Sequence, residues 1–301
     1  MTDRPKVWRN GQLVPWCDAR APLLSHGFSR GAVVFEVFGV HASQRGPAAF
    51  RMDEHLGRLA RSLELLGMES AYSMDEITAA VSSTVAANAM GRGLVKILAY
   101  WGAEATIRLV PDGPVDVAIF TVPDSPDLGL DSVEPTSACV SRWRKLHPDS
   151  VPVEAKVSAH YLNGYLARKD AEDRGFGIGL LLDADGNLAE GSTESVFVVR
   201  DGILGSPPAE GRILRSITRL SILQAARIVG IPVREAPVSL EELLAADEVF
   251  TANSAVKTLP IARLEDRELD APGPVTRRVM AMLDDITSFR DERFAGWFQY
   301  L

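Results

Sequence analysis

Pro152-Val-Glu-Ala-Lys156-Val-Ser-Ala-His-Tyr161-Leu-Asn163, followed by Leu182-Asp-Ala-Asp-Gly-Asn-Leu-Ala-Glu190-Gly-Ser192, is the stretch on which the reading of this chain turns. Val153, Ala155 and Val157 alternate as on one face of a strand over residues 153–157, and Lys156 then points the other way with Glu154 and Ser158. By spacing alone Lys156 is a solvent-facing lysine paired with Glu154. A helix is expected over 161–173, stopped by Gly175; Tyr161 would then be a core aromatic on its inner face. A strand over 179–183 turns at Asp185-Gly186, runs through 188–190, and continues as a strand over 196–200 to a turn at Asp201-Gly202. Glu190 closes a strand just after a hairpin turn, where a carboxylate is ordinarily exposed.

Outward from this stretch the pattern is mixed α+β. Residues 7–14 read as a hairpin with Asn10-Gly11 as its two-residue turn, and residues 32–40 as a β-branched and aromatic strand. Leu56, Leu59, Leu63 and Leu66 recur at helical spacing over 52–68, with Asp53 as the expected cap. A further helix is expected over 75–89, strands over 94–101 and 115–122, and a helix over 216–229 ended by Gly230 and Pro232. Residues 123–135, rich in Pro, Asp and Ser, read as a linker between a domain at 1–122 and a larger one at 136–301.

Bulk properties narrow the function. The net charge of −8 argues against a nucleic-acid partner, and Arg142-Trp143-Arg144-Lys145 is too short a basic run to supply such a surface; it reads as a solvated face or a local ion-pair site. Cys17 and Cys139 form no C-x-x-C pair, no apolar run reaches membrane-spanning length, and the start lacks a signal-peptide core, so a cytoplasmic location with no membrane partner is expected. The histidines show no metal-ligand spacing, and no metal is expected. Gly27-Phe-Ser-Arg-Gly31 has the letters of a serine-hydrolase elbow, but a strand follows it where that elbow needs a helix. Gly175-Phe-Gly-Ile-Gly179 does not satisfy the dinucleotide-binding spacing.

The quoted stretch resembles the signature of the class IV aminotransferases, the fold-type IV enzymes of pyridoxal phosphate (PLP), and the branched-chain aminotransferases in particular. The likeness runs along nearly the whole chain: Trp8-x-Asn10-Gly11, Phe35-Glu36, His55-Leu-x-Arg58-Leu-x-x-Ser62, Ile213-Leu-x-x-Ile217-Thr218-Arg219 and Ala246-Asp247-Glu248-x-Phe250. It implies an α+β, two-domain, D-amino-acid-aminotransferase-like fold and a homodimer. It also implies PLP held as a Schiff base, a chemistry that needs an amine for the aldehyde and a carboxylate for the ring nitrogen. By the resemblance Lys156 carries the cofactor and moves the substrate proton, Glu190 holds the ring nitrogen, and Tyr161 meets the phenolic oxygen. The phosphate falls to Arg58, to Ile217 and Thr218 at a helix start, and to Ser254; a helix N-terminus favours an anion in any case. Read alone, Arg58 lies opposite the leucines and is solvated, and Ser254 is an ordinary turn serine.

The substrate end departs from the family. Where branched-chain enzymes usually show Phe-Glu-Gly-x-Arg, this chain has Phe35-Glu36-Val37-Phe38-Gly39; a later Tyr-x-Arg reads Leu94-Val95-Lys96, and a Tyr near the first strand is Arg30. Phe35, Val37, Lys96, Arg30 and Ala255 are the expected substrate-binding residues, with Arg30 either a carboxylate anchor or a solvated side chain. Lys96 and Asn253-Ser254 are similar to the aminodeoxychorismate-lyase branch. The expected activity is transfer of an amino group between an aliphatic, branched-chain-like amino acid and a 2-oxo acid, with altered or broadened specificity. An (R)-amine or D-amino-acid transaminase, a lyase, and a PLP binder without turnover stay open.

Overall fold

The computed structural model describes residues 5–104, 107–125 and 134–301. The chain forms two compact units. One comprises Met1–Pro126 with Ala155–Ala159 and Asp291–Leu301, the other Asp127–Glu154 and His160–Arg290. The contiguous 136–301 domain expected from the sequence thus gives up two segments, because Val157 bridges Val34 and the last strand pairs beside Phe50. Of the linker expected at 123–135, residues 126–133 lie outside the described residues.

In the first unit, β1 (Lys6–Arg9) and β2 (Gln12–Pro15) form the expected hairpin, with Asn10 and Gly11 both at positive φ as a two-residue turn of this kind demands. A short helix α1 (His26–Arg30), capped by Ser25, leads into β3 (Val33–Ser43) and β4 (Gly46–Phe50). Then come α2 (Met52–Leu65), α3 (Met74–Ala87), β5 (Gly93–Tyr100) and β6 (Asp116–Pro123). With β16 (Phe298–Tyr300) the strands form an antiparallel sheet in the order β16-β4-β3-β5-β6-β1-β2. On one face Val34, Phe38, Val95, Ile97, Val117 and Ile119 cluster with Leu56, Leu59 and Leu63 of α2 and Ile77, Val81 and Val85 of α3. Each such buried side chain contributes about 1.5–3 kcal/mol. Helix α3 starts on a capping box, Ser73 with Glu76. Helix α2 does not start on Asp53: its N-cap is Arg51, at φ 49°, and Asp53 lies inside the first turn.

The second unit holds β7 (Thr136–Arg144), α4 (Tyr161–Asp173), β8 (Ile178–Leu182), β9 (Leu188–Glu190), β10 (Ser195–Arg200), β11 (Ile203–Ser206) and α5 (Ile217–Ile228). It continues through β12 (Val233–Glu235), α6 (Leu240–Leu244), β13 (Glu248–Ala252), β14 (Leu259–Leu264), β15 (Arg267–Glu268) and α7 (Pro274–Thr287). The sheet runs β12-β11-β10-β13-β14-β7-β8-β9, with β15 paired to β14. Its core gathers Leu180, Leu182, Leu188, Val196, Val198, Val249 and Ile261. The expected strand at 153–157 is absent. Those residues alternate between buried and half-buried, but they form turns and join a sheet only at the Val157 bridge, so the alternation reflects packing rather than a ladder.

Candidate active site

In the first unit the alternation of β3 turns Val34, Glu36 and Phe38 toward the helices, which buries a carboxylate completely. Such a group stays charged only against close partners. Arg58 of α2 supplies two hydrogen bonds, Nε to Oε1 at 2.7 Å and Nη2 to Oε2 at 2.8 Å, and His55 Nδ1 lies 2.8 Å from Oε2. Burial works against the Glu36 carboxylate, but the charge and hydrogen bonds of Arg58, with those of His55, outweigh it and hold its pKa at about 2. Burial also pushes the His55 imidazole below its ordinary value. Arg58 is therefore not the solvated arginine of the helical-wheel reading. The buried face of α2 is wider than its leucine stripe, because His55, Arg58 and Ser62 flank the leucines over Glu36.

Lys156 rides on the segment Ala155–Ala159, pinned by its backbone at several points. Its N–H donates to Ser62 Oγ at 3.0 Å, its carbonyl accepts from the Phe35 N–H at 3.0 Å, and Val157 bridges Val34. The side chain is half-buried with Nζ 4.7 Å from the centre of the Phe35 ring. Lys96 on β5 is exposed and brings a second ammonium to 5.4 Å from the same ring. Glu154, expected as a surface partner of Lys156, accepts instead from the Gly211 N–H at 3.0 Å.

Two of the three departures from the family pattern lie on neighbouring strands, β3 and β5. Val37 is the register partner of Lys96, and Gly39 that of Leu94. Arg30, at the end of α1, donates to the Arg108 carbonyl at 2.8 Å and lies 2.8 Å from His26 Nδ1.

In the second unit Glu190 ends β9, half-buried, with Oε1 2.5 Å from Lys145 Nζ. The turn after it is fixed by Glu194, whose carbonyl accepts from the Gly191 N–H and whose carboxylate accepts from the Thr193 N–H and from Arg168. Helix α4 approaches so closely that a Cβ at Gly164 would lie 1.9 Å from the Ser192 carbonyl oxygen. Tyr161 opens α4, half-buried. Ser216 caps α5 by accepting from the Arg219 N–H, which leaves Ile217 and Thr218 at the positive end of the helix. Ser254 and Ala255 are half-buried in a turn held by Asn253 Oδ1, which accepts from the N–H groups of Ala255 and Val256. On either side of that turn the hydroxyls of Thr251 and Thr258 are buried with no hydrogen-bond partner among the described residues.

The first unit thus collects Lys156, Lys96, Phe35 and Val37, with Arg58 held from beneath by Glu36; Arg30 is engaged elsewhere, on α1. The second unit presents Glu190, Tyr161, Ile217, Thr218, Ser254 and Ala255. Sequence reasoning missed Glu36 with His55 as the holders of Arg58, and Lys145 as the partner of Glu190. The first pair left a trace in Phe35-Glu36 and His55-x-x-Arg58. Lys145 left only its place at the end of a basic run.

Comparison with known proteins gives a concordant result. Residues 33–264 match the amino-transferase class IV family. The branched-chain-amino-acid aminotransferase of Salmonella typhimurium is 32% identical over 97% of this chain and 96% of its own length. The crystal structure of the branched-chain aminotransferase of Thermoproteus uzoniensis with norvaline superposes with a TM-score of 0.92 at 34% identity, covering 98% of both chains. That of Thermobaculum terrenum in its PLP form gives 0.91 at 30% identity over 99% and 98%.

Proposed function

Because this chain belongs to the class IV aminotransferases, the PLP-dependent transaminases of fold type IV, we propose that it exchanges an amino group between an aliphatic, branched-chain-like amino acid and a 2-oxo acid, with a substrate end altered from the branched-chain pattern. The observation that carries this reading is the half-buried Lys156 ammonium over the Phe35 ring, on a sheet face where Lys96 supplies the nearby cation. The donor set fits PLP in kind: a lysine for the aldehyde, a carboxylate for the ring nitrogen, and an arginine, a helix start and unpartnered hydroxyls for the phosphate.

When bound, PLP supplies an aldehyde and an electron-accepting ring that holds the amino group between two half-reactions. In this reading Lys156 would hold the cofactor through Nζ and, once free, would carry the proton that leaves the substrate Cα. Glu190 would accept a hydrogen bond from the ring nitrogen, and Tyr161 would orient the phenolic oxygen. Arg58, Ile217, Thr218 and Ser254 hold the phosphate, with Arg58 kept in place by Glu36. Phe35, Val37 and Ala255 line the side-chain pocket and Lys96 attracts the substrate carboxylate. Arg30 serves as an outer guide rather than an anchor, since His26 and the Arg108 carbonyl already engage it.

We further propose a homodimer, supported by the exposure of Leu23, Leu24 and Phe28 around α1, and a cytoplasmic location, supported by the two free cysteines. No helix among the described residues is long and apolar enough to cross a membrane.

The test is to mix the PLP-loaded protein, without acceptor, with L-leucine, D-alanine and (R)-1-phenylethylamine separately and follow absorbance. Conversion to the aminated cofactor, fastest with L-leucine and lost in Lys156→Ala, is the expected result. A faster D-alanine or chiral amine would assign the altered pocket to another branch. No conversion with any donor would refute transamination.

A further inference from the structure

We propose that Lys145 is a positioning residue that aims the Glu190 carboxylate, an inference that rests on the assignment of Glu190 to the ring nitrogen. A glutamate at a strand end turns freely about its outer torsions, and nothing in β9 itself decides where its oxygens point. Lys145 removes that freedom. Its side chain is 7% exposed and its ammonium lies against Oε1, while Oε2 accepts no hydrogen bond among the described residues and is left for a second donor.

The backbone around Lys145 is built for this reach. The register between β7 and β8 shifts between Val140 and Arg144. Past the shift the Lys145 N–H donates to the Leu182 carbonyl at 2.9 Å, and Asn163 of α4 donates to the Arg144 carbonyl at 3.0 Å. Glu190 is paired with Leu181 on the opposite side of β8. The lysine stem therefore spans β8 to meet the carboxylate, and the ammonium, nearly out of water, has in Glu190 its compensating charge. A carboxylate held between this fixed cation and an incoming ring N–H is oriented before the cofactor arrives, so binding loses less freedom.

The test uses the full-length protein stripped of cofactor and titrated with PLP, and with PLP carrying ¹⁵N in the ring, whose chemical shift reports the proton on that nitrogen. Lys145→Met is expected to weaken PLP binding about tenfold or more and to move the ring-¹⁵N signal; Lys145→Arg, which keeps the charge, restores both. In a Glu190→Gln background, Lys145→Met should add less than about a twofold loss, because its effect passes through Glu190. Should Lys145→Met fail to fold, the neutral but polar Lys145→Gln is read by the same criteria. Wild-type affinity and ¹⁵N shift in the neutral variant, or an equal loss in the Glu190→Gln background, would overturn the proposal while leaving the Glu190 assignment intact. A wild-type ¹⁵N shift in Glu190→Gln itself would instead remove that assignment, and the proposal with it.

Discussion

Glu36→Gln is the substitution whose consequence is best defined by the structure. The carboxylate is fully buried, receives both Arg58 bonds, and lies against His55. Removing its charge takes from the buried Arg58 guanidinium the anion that accepts these two hydrogen bonds. The fall of the Glu36 pKa from an ordinary 4.5 to about 2 corresponds to about 3 kcal/mol at about 1.4 kcal/mol per pH unit. That agrees with the roughly 3–5 kcal/mol typical of breaking a buried ion pair. Because the folded-state pKa is depressed, this stability is fully present above about pH 4.5 and is lost as pH falls toward about 2. Denaturant titrations across pH should show Glu36→Gln destabilised by about 3 kcal/mol at pH 7, with a flatter acid limb than the wild type. Combining it with Arg58→Met should recover part of the loss, since the buried cation goes too. A loss below about 0.5 kcal/mol at pH 7, or an unchanged acid limb, would refute the reasoning.

Lys96→Met should raise KM for amino-acid donors about tenfold and leave (R)-1-phenylethylamine, which has no carboxylate, unaffected; equal effects in steady-state kinetics would remove Lys96 from the carboxylate site. Gly164→Ala drives a methyl group into the Ser192 carbonyl and should cost about 1–3 kcal/mol in denaturant titrations; a neutral outcome would mean that α4 can shift away from the Glu190 turn. Burial pushes the Cys139 thiol up to about 11, whereas Cys17 is exposed. A disulfide reagent at pH 8 should therefore label Cys17 alone in the native protein and both thiols after denaturation.

Where local chemistry decides structure, the sequence was readable. Gly175 at φ 78° stops α4, Ser216 caps α5, and Asn10-Gly11, Asp185-Gly186 and Asp201-Gly202 all make turns with glycine at positive φ. Where burial partners come from far along the chain, it was not. Arg58 lies off the leucine stripe and becomes a buried residue only because β3 places Glu36 beneath it. Residues 153–157 alternate like a strand, yet the Lys156 backbone finds its hydrogen-bond partners on α2 and β3, at positions no local pattern encodes. Helix α7 drew no expectation, although Gly273-Pro274 gives it a standard start. The cofactor assignments for Lys156 and Glu190 came from the family signature, since neither spacing nor periodicity distinguishes either residue.

The pairing of β16 with β4 bears on the order in which this protein can mature on the ribosome. Phe50 leaves the exit tunnel long before its partner Phe298, and the Arg51 amide must wait equally long for the Trp297 carbonyl. Until then the β4 edge of the first sheet is an open template with unpaired N–H and C=O groups, while the strands and helices between residues 160 and 290 are already available to collapse on one another. Vectorial synthesis therefore leaves the earlier-made unit to be completed last. A bulky fusion placed directly after Leu301 would burden the strand that seals it.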